Sequence, residues 1–353
     1  MRAGLVGCGK ISQAYLGGQY PAVRFVACAD LDAGRAAATA EAHGLAALKV
    51  DELIADPSIE LVCNLTVPQA HVEVSMAALR AGKHVYQEKP LALDRGGASA
   101  LLAVASAAGR LVGCAPDTFL GAGLQTCRRL VDQGAIGEPV AALAHFANHG
   151  HEHWHPDPAF YYQAGGGPLF DMGPYYLTAL VCLLGPICRV SGMARGEGSQ
   201  RHLRSGPRAG GVLAVDVATH VSGVLEFAGG TIASLVTSFD VWASDVPRLE
   251  LHGTEGSLSC PDPNTFGGPV RLCRAGGRDW EEVPIDAFEL HQRGVGLADL
   301  AEAAAAGAEP RASGRLAGHV LDAMVGLIES SRSGQHVVLE SDVHRPAPMP
   351  ARA

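Results

Sequence analysis

Across the first 115 residues, short apolar runs alternate with stretches in which apolar positions recur every three or four residues. AGLVG (3–7), RFVACAD (24–30), IELVCNLT (59–66), HVYQEK (84–89) and RLVGCA (110–115) read as strands, because brief apolar runs between turn formers are too short for helices. The helical period appears between them: from about Ser12, over AGRAAATAEAHG (33–44) with Gly44 as its stop, over HVEVSMAALRAG (71–82), and near 94–108. The strands are apolar at nearly every position, as strands covered on both faces are. Strand and helix in alternation predict an α/β, doubly wound parallel sheet.

Beyond about residue 120 the pattern changes. A helix over GLQTCRRLVDQG (123–134) leads to a strand ending near Gly150, an irregular His- and Pro-rich stretch, and a helix near 172–184. From 187 to 290 the segments lengthen and apolar and polar residues partly alternate, as in VLAVDVATHVSGVLEF and TIASLVTSFDVWA. Period-two runs joined by GGT (229–231) and GTEG (253–256) predict an antiparallel or mixed sheet. Helices near 294–306 and 314–333 complete an α+β domain. The expected division is 1–120, 121–342, and a flexible tail at 343–353.

With 353 residues, the chain is long enough for about two domains with sizeable cores. A net charge of -9 and the absence of any Lys/Arg block argue against nucleic acid or a membrane surface as partner. The nine cysteines, at 8, 28, 63, 114, 127, 182, 188, 260 and 273, are odd in number and contain no C-x-x-C pair. That usage suits free thiols in a reducing cytoplasm better than a disulfide framework or a zinc ribbon. RAGLVGCG after Met1 is too short for a signal peptide, and no window approaches the roughly 20 apolar residues of a membrane span. The expected protein is cytoplasmic.

One stretch suggests metal chemistry. HEHWH (151–155) matches H-E-x-x-H, in which a helix presents two zinc-binding histidines. Only the helical period puts positions i and i+4 on one face, and here Gly150 precedes while Pro156-Asp157-Pro158 follows. No metal is therefore assigned. The stretch reads as a strand end and loop over the substrate, with His153 and Trp154 among the candidate contacts.

Gly7-Cys8-Gly9-Lys10-Ile11-Ser12 lies between the first strand and first helix, where a dinucleotide fingerprint belongs. Gly7 permits a tight turn, Gly9 lets backbone approach a pyrophosphate, and the helix start adds partial positive charge. The third position is Ser12 rather than glycine. Asp30 ends the second strand about 20 residues on, where a carboxylate accepts hydrogen bonds from the adenosine ribose. It would repel a 2′-phosphate, and Leu31 offers no cation, so NAD is expected over NADP. A simple glycine turn beside an ordinary exposed aspartate is the competing reading.

A more specific signal lies at LTVPQAHVEVSMAALRAGKHVYQEKPLAL (65–93), with GAIGEPVAA (134–142), GGGPLFDMGPYY (165–176), HGTEGSL (252–258) and RASGRLAGHVLD (311–322). These segments resemble the Gfo/Idh/MocA family of oxidoreductases over nearly the whole chain. The resemblance implies a Rossmann domain and a second domain on a large, mostly antiparallel sheet, through which homodimers or homotetramers pack. It also implies pyridine-nucleotide chemistry on sugars, cyclitols and related alcohols. Carried over residue by residue, Thr66 and Pro68 lie along the cofactor with His71 beside it. Glu88 and Lys89 match the E-K-P turn, whose lysine reaches the substrate hydroxyl. Asp171 matches the acid of the D-x-G-x-H motif, but the motif's histidine is Tyr175 here.

That departure bears on mechanism, because oxidising a secondary alcohol requires a base at its hydroxyl. Tyr175, with an ordinary pKa of about 10, needs a neighbouring cation, which Lys89 would supply. Lys89 itself, or Tyr176 or a histidine from 149–155, are the other candidates. Trp154, Tyr161 and Tyr162 offer faces for a sugar ring, Asp117 and Arg293 are weaker contacts, and each has an ordinary structural alternative. Three functions stay open: an NAD-dependent dehydrogenase of a small polyhydroxylated substrate, a redox-neutral enzyme with tightly held NAD (epimerisation or glycoside cleavage), and a non-enzymatic NAD-binding regulator.

Overall fold

The computed structural model describes residues 1–285 and 292–350. Two compact units divide the chain, Met1–Leu120 with Leu290–Gly318, and Gly121–Glu289 with His319–Ala353.

The first unit is built on six parallel strands: β1 (Arg2–Val6), β2 (Arg24–Ala29), β3 (Ala46–Leu48), β4 (Leu61–Asn64), β5 (His84–Gln87) and β6 (Val112–Cys114). Their order is β3-β2-β1-β4-β5-β6. The chain works outward from β1 to β3, then restarts on the other side of β1 with β4. In such a sheet, ligands bind in the crevice at the carboxyl ends of the strands that flank this reversal. The linking helices are α1 (Ser12–Leu16), α2 (Ala33–His43), α3 (Val50–Ala55), α4 (His71–Arg80) and α5 (Arg95–Ala108). The apolar pattern reveals all of this except β3 and α3, which are three and six residues long and leave too little period to read.

The contact division places Leu290–Gly318 with the first unit. Helix α8 returns to the first unit, where Leu297, Ala298, Leu300 and Ala301 join Leu5, Leu61, Cys63 and Tyr86 in one buried cluster. Its range, counted after the two helices of the second unit, is Val295–Ala306. Sequence separation hides this packing, because an amphipathic helix carries no mark of which sheet it covers.

The second unit begins with α6 (Ala122–Asp132), and its centre is α7 (Gly167–Leu184). Nine strands form its main sheet: β7 (Pro139–Ala147), β8 (Ile187–Arg195), β11 (His220–Phe227), β12 (Ile232–Ser238), β13 (Leu249–Gly253), β14 (Gly256–Cys260), β15 (Val270–Arg274), β16 (Glu281–Val283) and β17 (Val337–Val338). The order is β16-β15-β14-β13-β7-β12-β11-β8-β17, and among the described residues only the β7–β12 pair is parallel. β9 (Gln200–His202) and β10 (Val212–Ala214) make a separate hairpin. The apolar α7 lies on one face of the sheet, against β7, β11 and β12. The opposite face exposes Met193, Val224 and Ile232. α9 (Gly314–Ser333) starts in the first unit and ends in the second.

The tail is docked rather than loose up to residue 350. The Arg345 guanidinium donates to the carbonyls of Cys182 and Leu183 and to the Asp132 carboxylate, at 2.8, 2.6 and 2.6 Å. Met349 N–H donates to Gln125 Oε1 at 2.7 Å. A charged side chain caps the carbonyl end of α7 here, which proline-rich composition could not foretell. Among the described residues, no helix is long and apolar enough to cross a membrane.

Candidate active site

At the end of β1 the chain turns through Gly7 at φ +98, with its N–H on the Ala29 carbonyl. A Cβ there would stand 2.6 Å from the Leu65 carbonyl oxygen, so β1 and β4 approach too closely for any side chain. Gly9 differs: a Cβ would meet nothing within 4 Å. No packing within the protein requires glycine at that position, and the bare backbone faces open space, as a pyrophosphate cradle requires. α1 is only five residues long, so the macrodipole expected from the sequence is small. Ser12 is buried and its hydroxyl donates to the Gly9 carbonyl at 2.7 Å, closing the turn. Lys10 is exposed and Ile11 partly buried.

Asp30 accepts from Cys8 N–H at 2.8 Å and from Asp32 N–H at 2.9 Å, which fixes the carboxylate at the edge of this turn. Leu31 is 99% exposed and touches nothing that would hold a ligand in place. Arg35 is the local cation that the sequence reading overlooked. It lies 3.9 Å from Asp30 and 3.6 Å from Asp32, so its charge is already faced by two carboxylates.

The ends of β4 and β5 are tied by a buried polar chain. Asn64 Nδ2 donates to the His71 carbonyl and to Ser75 Oγ, at 3.0 and 2.9 Å. Ser75 Oγ donates to Gln87 Oε1 at 2.8 Å, and Gln87 Nε2 to the Leu91 carbonyl at 2.9 Å. Thr66 Oγ1 donates to Asn64 Oδ1 at 2.6 Å. Asn64 and Gln87 each end an apolar strand run, a sign of a buried polar role that was open to sequence reading.

His71 is a correction. It is fully buried, with Nδ1 2.7 Å from the Pro90 carbonyl and Nε2 3.0 Å from the Thr66 carbonyl, and burial lowers its pKa. Its ring therefore lies between the Thr66-Val67-Pro68 loop and the E-K-P turn, and a neutral imidazole donates its one N–H to one of the two carbonyls. Glu88 is likewise turned inward: Oε1 accepts from Tyr15 Oη at 2.9 Å and Oε2 from Lys89 N–H at 3.1 Å. Lys89 is half-buried on this braced turn, and Pro68 is half-buried at the start of the helical turn preceding α4.

Asp117 anchors a loop through one oxygen, Oδ2, while its Oδ1 has no hydrogen-bond partner among the described residues. Fully buried, it accepts from Gly294 N–H at 2.7 Å and Gly296 N–H at 3.1 Å, holding the start of α8. Burial raises its pKa, opposed by the Arg293 charge and those two N–H groups. Arg293 thus stands beside Asp117, and its own carbonyl accepts from Tyr20 Oη at 2.6 Å.

In the second unit HEHWH forms a single turn, with the His155 and Trp154 N–H groups on the His151 carbonyl at 3.0 and 3.3 Å. Its residues separate. Glu152 is buried, accepting from Tyr162 Oη and, at 3.2 Å, from Arg201. Burial acts to raise its pKa, but these partners outweigh it and hold the carboxyl below the ordinary range. Tyr162, assigned to substrate, is fully buried with its hydroxyl on Glu152, so it supports the loop. His153 is exposed and Trp154 49% exposed. His151, absent from the candidate contacts, is buried with Nε2 3.6 Å from Asp171 Oδ2.

Asp171 and Tyr175 lie one turn apart on α7. The helix starts at Gly167, not near 172, because Pro168 suits a first turn. Asp171 is therefore inside the helix rather than at its cap. Tyr175 is buried and Tyr161 half-buried.

A family model described as oxidoreductase, NAD-binding Rossmann fold, matches residues 1–115, and one for the GFO/IDH/MocA C-terminal domain matches residues 124–259. The uncharacterised oxidoreductase ORF334 of Rhizobium meliloti is 31% identical over 271 residues, covering 74% of this chain and 75% of that protein. The chain belongs to the Gfo/Idh/MocA oxidoreductase family. The 1,5-anhydro-D-fructose reductase of Ensifer adhaerens is 28% identical over 356 residues, covering 96% of this chain and 99% of the reductase. The crystal structure of an NAD-binding oxidoreductase from Klebsiella pneumoniae has the same fold, with a TM-score of 0.80 at 23% identity over 97% of this chain and 100% of that one.

Membership in the Gfo/Idh/MocA family makes the first unit an NAD-binding Rossmann unit of an oxidoreductase. The turn at Gly7 and Gly9 and the Asp30 carboxylate fit that cofactor. HEHWH loses its protease reading, because the helix that would pair His151 with His155 is absent. Among the described residues, no three His, Cys, Asp or Glu side chains are grouped to hold a metal.

Proposed function

We propose that this protein transfers hydride between NAD and a secondary alcohol of a sugar, cyclitol or glycoside. The observation that carries the reading is the pairing of an open Gly9 backbone with a fixed Asp30 carboxylate at the crevice of the first unit, in a chain that keeps Lys89. When bound, NAD supplies the hydride acceptor or donor. Gly7 and Gly9 admit its pyrophosphate, Asp30 takes the ribose hydroxyls, and Thr66 and Pro68 border it. NADP is disfavoured because Asp30 repels a 2′-phosphate and Arg35 already faces Asp30 and Asp32.

The resemblance gives Lys89 to the reacting hydroxyl and matches Asp171 to the acid of the D-x-G-x-H motif. Lys89 places an ammonium beside an oxygen that gains negative charge as its proton leaves. Tyr161 and Trp154 offer aromatic faces to a polyhydroxylated ring. The similarity to a 1,5-anhydro-D-fructose reductase supports a sugar-like substrate. Free-thiol usage supports a reducing compartment such as the cytoplasm.

Calorimetry is expected to find NAD+ or NADH bound at least tenfold more tightly than the 2′-phosphorylated forms, where tenfold is about 1.4 kcal/mol. A panel of sugars and cyclitols is then expected to give steady NADH formation. Product formation without NADH release would favour the redox-neutral enzyme instead, and no binding of either nucleotide would overturn the reading.

The outer sheet face carries Met193 on β8, Val224 on β11 and Ile232 on β12, exposed at 80, 47 and 53%. An apolar patch on an open sheet suits a second copy of the chain, giving a homodimer or homotetramer. Sedimentation is expected to give a multiple of the chain mass, reduced to monomer by Val224→Glu with Ile232→Lys. A monomeric parent protein would exclude this assembly.

A further inference from the structure

We propose that His151, held against Asp171, is the acid/base of the reaction, standing in for the histidine that the D-x-G-x-H motif carries and that Tyr175 replaces here. The inference rests on the dehydrogenase reading above.

Three observations carry it. First, Asp171 lies within α7 and its Oδ2 is 3.6 Å from His151 Nε2. Second, His151 is only 8% exposed, yet neither ring nitrogen has a hydrogen-bond partner among the described residues. Burying an unsatisfied polar group costs about 1–3 kcal/mol, so stability alone does not account for an imidazole there.

Third, the ring is held in place. Its backbone N–H donates to Tyr162 Oη at 3.1 Å, and that hydroxyl donates to Glu152. The imidazole lies 3.9 Å from the Tyr161 ring and meets Phe239 edge-on at 4.8 Å and Trp154 at 5.4 Å, between centroids. Such a cage keeps the ring in one orientation, as a proton-transfer group requires.

The charged and titratable groups around the ring divide cleanly. From α7 comes Asp171. On its own turn Glu152 is engaged by Tyr162 and Arg201, and His149 lies 3.9 Å from Glu152. From β9 Arg201 is faced by Glu152 and Asp240. Tyr161 and Tyr162 contribute phenols. Asp171 is thus the carboxylate that faces the imidazole, and it stabilises the imidazolium formed in the reaction.

In the oxidation, the substrate O–H bond breaks and its proton goes to His151 Nδ1, the ring nitrogen that does not face Asp171, while Nε2 stays on the carboxylate side. The C–H bond breaks with its hydrogen and electron pair passing to the oxidised nicotinamide nucleotide, and C–O becomes C=O. Reduction runs the same transfers backward, with His151 as the acid. The HEHWH stretch, unsuited to zinc, thereby supplies one histidine to proton transfer and one glutamate to the frame that holds it.

The test pairs histidine-ring NMR with kinetics on the full chain. The resonances missing from His151→Gln identify the ring, and Asp171→Asn is expected to move the chemical shift of its Nε2. Ring shifts unmoved by Asp171→Asn overturn the dyad whether or not a substrate is in hand. With a polyol that the parent protein oxidises, His151→Gln is expected to lower kcat by about 10²–10⁴-fold and to remove the acid limb of the pH profile. NAD+ affinity should stay within about threefold, showing an intact fold. Activity within about tenfold of the parent, or an acid limb that survives, assigns proton transfer elsewhere. A parent protein that turns over no substrate counts against the dehydrogenase reading, and the NMR result then decides the dyad alone.

Discussion

Lys89→Met is expected to lower kcat by about 10²–10³-fold while NAD+ affinity changes little. Methionine keeps the length and the apolar stem and removes the charge. The turn that carries residue 89 is braced by groups the substitution leaves intact: Glu88 N–H on the Asn64 carbonyl at 3.0 Å, Glu88 Oε1 on Tyr15, and His71 on Pro90. The backbone path should therefore persist, and the loss should fall on the step in which the hydroxyl oxygen gains charge. Arginine is not a rescue, since a planar guanidinium cannot place its charge where a compact ammonium does. Steady-state kinetics with the best substrate of the panel reads the effect. A decrease under tenfold would remove Lys89 from the reacting centre.

Gly7→Ala and Gly9→Ala should behave oppositely, although the two residues stand two positions apart in one motif. At Gly7 a methyl group would meet the Leu65 carbonyl oxygen at 2.6 Å and Thr66 N at 2.8 Å, at a φ of +98 that L-residues avoid. Both obstacles are backbone, so β1 and β4 would have to part. Strain of about 1–3 kcal/mol from the dihedral alone, with the clash added, should reduce stability and abolish NAD binding together. At Gly9 the same methyl group meets nothing within 4 Å. Stability should change by no more than about 1 kcal/mol, and cofactor affinity should still drop sharply, because only a ligand uses that space. Denaturation and calorimetry on the two variants measure both effects. If Gly9→Ala binds NAD unchanged, the pyrophosphate does not lie there.

Much of the first unit was legible because its signals are local. Near-continuous apolar runs marked β1, β2, β4 and β5, and the glycine turn with Asp30 marked the nucleotide crevice. β3 and α3 escaped because three and six residues carry too little period. The start of α7 was misplaced because its glycines and prolines look like a loop. The resemblance supplied Lys89 and Asp171, but it gave no reason to prefer one histidine of 149–155 over another.

Local pattern and turn chemistry thus determined the strand-helix alternation, the two kinds of sheet and the cofactor turn, since each depends on neighbours a few residues apart. Tertiary structure alone decided that α8 covers the first sheet, that Asp117, His71 and Tyr162 brace loops, that the tail is docked, and that His151 rather than His153 faces Asp171. These outcomes depend on which groups meet across long separations in sequence. A side chain's partner there is set by packing and by the need to satisfy buried polar atoms, and neither leaves a periodic trace in the chain.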